Sequence, residues 1–306
     1  MTATEQLTTN GRTKNFQIPE RDLMHPGHLA CPGCGASLAM RLALKALGER
    51  TMVVVPACCW SIIAGPYPTS AVDVPLFHTA FETAAATASG LRASLETKGI
   101  NDVTVMAWAG DGGTFDIGLQ ALSGAAERNE DFLYVCYDNE AYMNTGIQRS
   151  GATPEGAWTT TTPQGHVKTR PKKDITRILA AHGVPYIATA SVAYPDDLIG
   201  KFQKAKEIRG TKFIHLFSPC PPGWKIDSEE SIEVARLAVH TKVFPLYEIV
   251  DGEQVTINVE PTGLPVDAYF KAQGRFRYME DDALAHIQAD VDKRWTRLIR
   301  EAGRED

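Results

Sequence analysis

The sequence predicts an α/β fold, a mostly parallel sheet flanked by helices, with a C-terminal extension. Strand-like and helix-like segments alternate along most of the 306 residues, as in sheets crossed over by helices. The strand-like segments are short apolar runs, and the helix-like ones carry apolar residues at helical spacing. The alternation stops near residue 240. This divides the chain into an arm over residues 1–19, a main domain over 20–240 and an extension over 241–306.

Residues 36–50 have the apolar spacing of a helix, with Gly48 near its end as a stop. Residues 51–57, TMVVVPA, follow as a short buried strand. Residues 81–99 form an alanine-rich helix, and 102–110, DVTVMAWAG, a strand that runs into glycines. A helix over 115–129 leads to the strand of 131–139, DFLYVCYDN. A loop of about thirty residues comes next, a length that is often functional inside a compact domain. Helix (174–183), strand (184–190), helix (194–210) and strand (211–220) complete the alternation. Residues 246–260 read as a hairpin turning at Asp251-Gly252, and 280–303 as a terminal helix. This tail serves either as a docking arm for a partner subunit or as a cap on the sheet.

Composition excludes several classes. The formal charge is −6, whereas a nucleic-acid binder carries a basic excess. No apolar run reaches the ~18 residues needed for a membrane span. The first residues, MTATEQLTTNGRTKNF, are polar and lack the apolar stretch of a secretory signal. Six cysteines in a long chain of this kind point to metal or cluster ligation, or to burial, and to the cytoplasm.

Two motifs carry the chemistry. The first is Gly110-Asp111-Gly112-Gly113, where a strand ends and a helix begins. The glycines allow close backbone approach, and N–H groups at a helix start attract phosphate. Asp111 adds a hard oxygen suited to Mg²⁺. One helix and one strand later the chain reaches Asp138-Asn139, which a parallel crossover sets beside the first turn. Asn139 can offer an amide oxygen to the same ion, and Ala141 its carbonyl. Oxygens of a diphosphate and a water would complete an octahedron.

The second motif is LACPGCGA, with Cys31 and Cys34 in a Cys-x-x-Cys loop. The spacing alone leaves zinc, a disulfide shuttle and an electron-carrying cluster open. The loop lacks the preceding strand of a thioredoxin-like redox pair.

Gly-Asp-Gly, then 25 residues, then a pair ending in asparagine resembles the diphosphate-binding motif of thiamin diphosphate enzymes. With DNEAYMNTGIQRSGATP, the upstream LACPGCGA and the downstream SPCPPGW, the chain is similar to the β subunits of 2-oxoacid:ferredoxin oxidoreductases over about residues 20–240. Among these it most resembles the pyruvate:ferredoxin oxidoreductase (pyruvate synthase) type. The resemblance implies a thiamin-diphosphate-binding fold. It implies a thiamin diphosphate site at Gly110, Asp111, Gly112, Gly113, Asn139, Ala141 and Asn144, with Mg²⁺ on Asp111, Asn139 and Ala141. It also implies a [4Fe-4S] cluster on Cys31, Cys34, Cys59 and Cys220. Cys59 is preferred to its neighbour Cys58 because the following WSI fits the family pattern, and Cys136 is read as core. Asn144 takes a catalytic place beside the thiazolium, against the alternative of a turn asparagine.

The implied reaction is oxidative decarboxylation of pyruvate or a related 2-oxoacid to acyl-CoA and CO₂, with electrons passed to ferredoxin. An aryl or branched-chain 2-oxoacid such as phenylglyoxylate, with NAD as acceptor through a flavin subunit, is one alternative. A non-redox thiamin decarboxylase with structural zinc is another, and a metal scaffold whose glycine turn is only a turn is a third. The family places the activating glutamate on an α-type subunit. Glu82 is the one intrachain candidate, and a helix-capping or surface role explains it better. Partners then include the α-type subunit, γ/δ-type subunits, ferredoxin or a flavin subunit, coenzyme A and the 2-oxoacid. The basic run with Lys168, Arg170, Lys172, Lys173 and Arg177 reads as a solvated loop, with contact to coenzyme A phosphates or an acidic partner as the alternative. Trp60 and Trp224, beside ligand cysteines, read as packing that keeps water from a cluster.

Overall fold

Strands buried on both faces read as continuous apolar runs, and the sheet is built from them. The computed structural model describes residues 18–304, so nearly all of the expected N-terminal arm lies outside the described residues. Eight strands form one sheet: β1 (Thr51–Pro56), β2 (Leu76–Thr79), β3 (Thr104–Gly110), β4 (Leu133–Asp138), β5 (Tyr186–Ser191), β6 (Lys212–Phe217), β7 (Tyr247–Val250) and β8 (Gln254–Ile257). Their order is β2-β1-β3-β4-β6-β5-β7-β8. The first six in that order run parallel, and β7 and β8 are antiparallel. Every residue of β4, β5 and β6 is buried.

Helices cover both faces and enclose two cores. On one side α1 (Gly35–Leu47) packs on α6 (Pro195–Glu207), with Met40, Leu44, Leu47 and Phe202 inaccessible to solvent. Gly48, at φ +82°, ends α1 and donates to the Leu44 carbonyl. α6 opens with Pro195, Asp196 and Asp197 and closes with Lys204 and Lys206, charges that suit the helix dipole. On the other side lie α3 (Ala84–Thr97), α4 (Leu119–Glu127) and α5 (Ile175–Ala180). Alanines at 84, 85 and 88 of α3 and at 125 and 126 of α4 are buried there.

Three features go beyond the sequence expectation. β2 is an edge strand of four residues, too short to show a pattern. α2 (Trp60–Ile63) and α7 (Pro221–Trp224) are single turns beside cysteines, and α8 (Ser231–His240) follows α7. The helix expected over 115–129 starts instead as a π-helical turn, Gly112–Asp116, and becomes α-helical only at Leu119. The expected hairpin is present. Asp251 and Gly252, at φ +52° and +74°, join β7 to β8, and β7 pairs with β5. α9 (Asp267–Phe270) and α10 (Asp281–Glu301) complete the extension, which caps this end of the sheet.

The π-turn has no room for a side chain at its exit. A Cβ on Gly118 would sit 2.0 Å from the Gly113 carbonyl oxygen. Gly118→Ala is expected to cost about 1–3 kcal/mol in urea unfolding. An unchanged midpoint would show that the turn can relax.

Candidate active site

In open parallel sheets ligands bind at the carboxyl ends of strands where the strand order reverses. Here β1 connects to β2 on one side and β3 connects to β4 on the other, so the reversal lies between β1 and β3. A cavity of 190 Å³ opens there. Ala57, Cys58 and Cys59 line it from the end of β1, Gly110 to Gly113 from β3, and Tyr137, Asn139, Ala141 and Tyr142 to Thr145 from β4 and its loop. Every proposed thiamin diphosphate residue therefore faces one space.

The register of β3 and β4 sets the geometry. Gly110 pairs with Tyr137, so Asp111 and Asn139 emerge side by side. The end of the Asn139 side-chain amide stands 3.0 Å from Asp111 Oδ1 and 3.0 Å from the Ala141 carbonyl oxygen, and a cation between them would draw its oxygen to this side. Turning that amide would replace these approaches with two N–H···O hydrogen bonds. Metal–oxygen bonds of about 2.1 Å at right angles place neighbouring ligand oxygens about 3.0 Å apart, so the trio fits an octahedral Mg²⁺. Asp111 is 1% exposed and accepts from Ser150 Oγ. Burial, reinforced by the Asp138 carboxylate, pushes its pKa well above the ordinary range. A cation here would offset that penalty.

The glycines make room for rings. A Cβ on Gly112 would meet the Tyr142 ring at 2.3 Å, and one on Gly113 would meet Phe81 at 3.3 Å. Tyr142 donates to Asp116 at 2.9 Å, which ties the loop after β4 to the π-turn. Tyr137 lines the cavity with its hydroxyl buried against the Cys58 thiol.

Behind the cavity lies a buried charge network. Asp138 accepts from the Glu140 N–H at 2.9 Å and from His215 Nε2 at 2.6 Å, and it pairs with Lys172. Lys172 also pairs with Glu140 at 3.0 Å, and Glu140 pairs with Arg275 of the extension. Burial pushes Asp138 upward, but Lys172 and His215 outweigh it and hold the carboxyl below its ordinary value. The solvated reading of the basic run is thereby corrected. Lys172 pairs with Asp138 and Glu140, Lys168 donates to the Thr153 and Pro171 carbonyls, and Lys173 pairs with Asp116. The buried acids Asp138 and Glu140 draw Lys172 inward and backbone carbonyls hold the buried Lys168, whereas Lys173 pairs at the surface. Arg170 stays exposed, and Arg177 pairs with Asp174 and Glu301.

The cysteines gather on the other wall. Cys59 is pushed up by burial, then by the neighbouring thiols of Cys220, Cys58 and Cys34. Cys220 is pushed up to about 12, first by burial and then by Cys34 and Cys31. Burial, and then Cys31, raises Cys34, while Cys31 itself is exposed. Cys59 thus neighbours Cys220 and Cys34, which in turn neighbour Cys31, whereas Cys58 lies against Tyr137. Among the described residues no group of three or more His, Cys, Asp and Glu could hold a single metal ion. Cys31, Cys34, Cys59 and Cys220 match in number and kind the four thiolates that a four-iron cluster would need. Cys136 lies in the core.

Asn144 is exposed, at the tip of the turn joining Tyr142 to Gln148, and lines the cavity mouth. Glu82 is exposed and does not line the cavity. Sequence reasoning missed Ser150, Tyr142, Tyr137 and Arg275. The first three lie in or beside the segment that starts at Asp138-Asn139, whereas Arg275 lies near no motif. Lys172→Met is expected to cost about 3–5 kcal/mol in urea unfolding, because it strands two buried carboxylates. A loss under about 1 kcal/mol, the range of exposed pairs, would contradict the network.

Comparison with known proteins agrees with this geometry. Residues 58–216 match the family of the C-terminal thiamine pyrophosphate-binding domain of thiamine pyrophosphate enzymes. The chain is 52% identical over 295 residues to the ketoisovalerate oxidoreductase subunit VorB of Pyrococcus furiosus, covering 93% of this chain and 95% of that one. It is 52% identical over 280 residues to the pyruvate synthase subunit PorB of Methanothermobacter thermautotrophicus, covering 90% and 97%. The 2-oxoglutarate:ferredoxin oxidoreductase of Magnetococcus marinus shares the fold, with a TM-score of 0.58 and 23% identity over 72% of this chain and 80% of that one. The chain belongs to the β subunits of the 2-oxoacid:ferredoxin oxidoreductases, within the thiamin diphosphate enzymes.

Proposed function

We propose that this chain is the cofactor-bearing half of an oxidoreductase that converts pyruvate or a related 2-oxoacid, with coenzyme A, to acyl-CoA and CO₂. The two electrons released pass singly to ferredoxin. Relatives named for pyruvate and for ketoisovalerate match at equal identity, which supports a small aliphatic 2-oxoacid. The observation that carries this reading is a shared wall. Cys59 lines the same cavity as Asp111 and Asn139 and neighbours the thiols of Cys34 and Cys220.

Bound thiamin diphosphate supplies the electron sink for decarboxylation, and a [4Fe-4S] cluster accepts single electrons. The protein's own residues do the rest. Asp111, Asn139 and the Ala141 carbonyl hold Mg²⁺, and through it the diphosphate. Gly112 and Gly113 bring backbone close to the phosphates. Cys31, Cys34, Cys59 and Cys220 give up their protons to hold the cluster. Trp60 and Trp224, both inaccessible to solvent, keep water from it. Asn144, at the mouth, is placed to hydrogen-bond the substrate.

The cavity of 190 Å³ is smaller than the roughly 300 Å³ at which complete ligand sites begin, and no glutamate lines it. An α-type subunit therefore closes the site and brings the activating carboxylate. γ/δ-type subunits carry electrons onward. No helix among the described residues is long and apolar enough to cross a membrane, and a cytoplasmic complex fits this chemistry.

The complex, purified without oxygen, is expected to reduce ferredoxin with pyruvate or ketoisovalerate and coenzyme A, and this chain alone to be inactive. Cys59→Ala should lose the cluster's visible absorbance while Cys58→Ala keeps it. Activity from the isolated chain, or equal loss in both variants, would overturn the reading.

A further inference from the structure

Arg275 belongs to the C-terminal extension yet is 2% exposed and reaches the back of the cavity. Its guanidinium donates to the Glu140 carboxylate and, through Nε, to Gln273 Oε1 at 2.9 Å. Its Cζ stands 4.3 Å from the centroid of the Trp224 ring. Trp224 in turn uses its two N–H groups on two different sites. The indole Nε1 donates to the Asn139 carbonyl at 2.8 Å, and the backbone N–H donates to the Cys220 carbonyl at 2.8 Å.

The peptide between Asn139 and Glu140 is therefore gripped from both ends. Trp224 fixes the carbonyl of Asn139. Arg275 and Lys172 fix the side chain of Glu140, whose backbone sits at φ +69°, a conformation that side chains with a Cβ disfavour. That strain persists only where the surroundings overdetermine it. The amide of Asn139 leaves the same residue on the other side, toward Asp111 and Ala141. A small rotation of this peptide would move that amide out of the 3.0 Å trio.

We propose that Arg275 and Trp224 form a clamp that positions Asn139 for the divalent cation and joins the cation site to the Cys220 loop. Both act as positioning residues, and the inference rests on the Mg²⁺–diphosphate reading above. The C-terminal extension then completes the cofactor site as well as capping the sheet.

The test uses the assembled oxidoreductase, purified anaerobically and depleted of divalent cations with chelator. Mg²⁺ is titrated at fixed thiamin diphosphate, and cofactor uptake is followed by calorimetry. Trp224→Phe keeps an aromatic ring at this buried position but removes the indole N–H together with the pyrrole part of the ring system. It is expected to need about 10-fold more Mg²⁺ for half-uptake, the usual scale for outer-shell partners of a metal ligand. Arg275→Ala is expected to need at least as much, and the double variant no more than Arg275→Ala alone, since both act through one peptide. The iron content of Trp224→Phe should match wild type.

A merely structural role would lower the thermal midpoint and leave the Mg²⁺ half-point unmoved, and that result overturns the clamp. If Arg275→Ala fails to assemble, Trp224→Phe decides. Wild-type uptake that ignores Mg²⁺ would instead overturn the underlying cation reading. Mg²⁺-dependent wild type with an unshifted Trp224→Phe would overturn the clamp alone.

Discussion

The parallel pairing of β3 with β4 is the constraint from which the site follows. Because Gly110 lies opposite Tyr137, Asp111 leaves the sheet opposite Asp138, and Asn139 follows one residue beyond. Asp111 and Asn139 then meet without any long side chain having to reach, and the Ala141 carbonyl joins them one turn later. Slipping the register by one residue would reverse every side chain and separate the three oxygens. The apolar burial of all six residues of β4 fixes that register. Packing energy thus sets coordination geometry.

Holding this edge of the sheet requires balancing charge away from water. Asp138 and Glu140 are both nearly inaccessible, and two carboxylates so close would repel. Lys172 and Arg275 neutralise them, and His215, whose pKa burial lowers, hydrogen-bonds Asp138, so three separate parts of the chain converge here. Buried ion pairs of this kind contribute little net stability compared with apolar packing, yet removing one partner is costly. Their value here is placement. They pin the irregular segment after β4 against the π-turn, so a loop without regular structure presents Tyr142 and Asn144 to the cavity and Ser150 to Asp111.

Much of this was legible in the sequence. Alternating apolar segments gave the sheet, and Asp111 with Asn139 at one crossover's distance gave the pair of oxygens. Both are local signals, a period and a spacing. The cysteines needed the family resemblance, since Cys-x-x-Cys and two distant thiols specify no particular group. What stayed hidden depends on long-range contact. Lys172 looks like one charge among five until Asp138 and Glu140 are seen beneath it. Arg275 lies 135 residues from Glu140, with no motif around it to mark the pairing. β2, four residues long at the sheet edge, carries too little pattern to stand out.

The measurement that bears most directly on the account replaces Mg²⁺ with Mn²⁺, which accepts the same six-oxygen coordination. Pulsed electron paramagnetic resonance of the assembled complex with Mn²⁺ and thiamin diphosphate is expected to show phosphorus couplings from the diphosphate. Both the bound Mn²⁺ and those couplings should disappear in Asp111→Ala and weaken in Asn139→Ala. Mn²⁺ that binds with unchanged phosphorus couplings in both variants would place the cation elsewhere and contradict the site described.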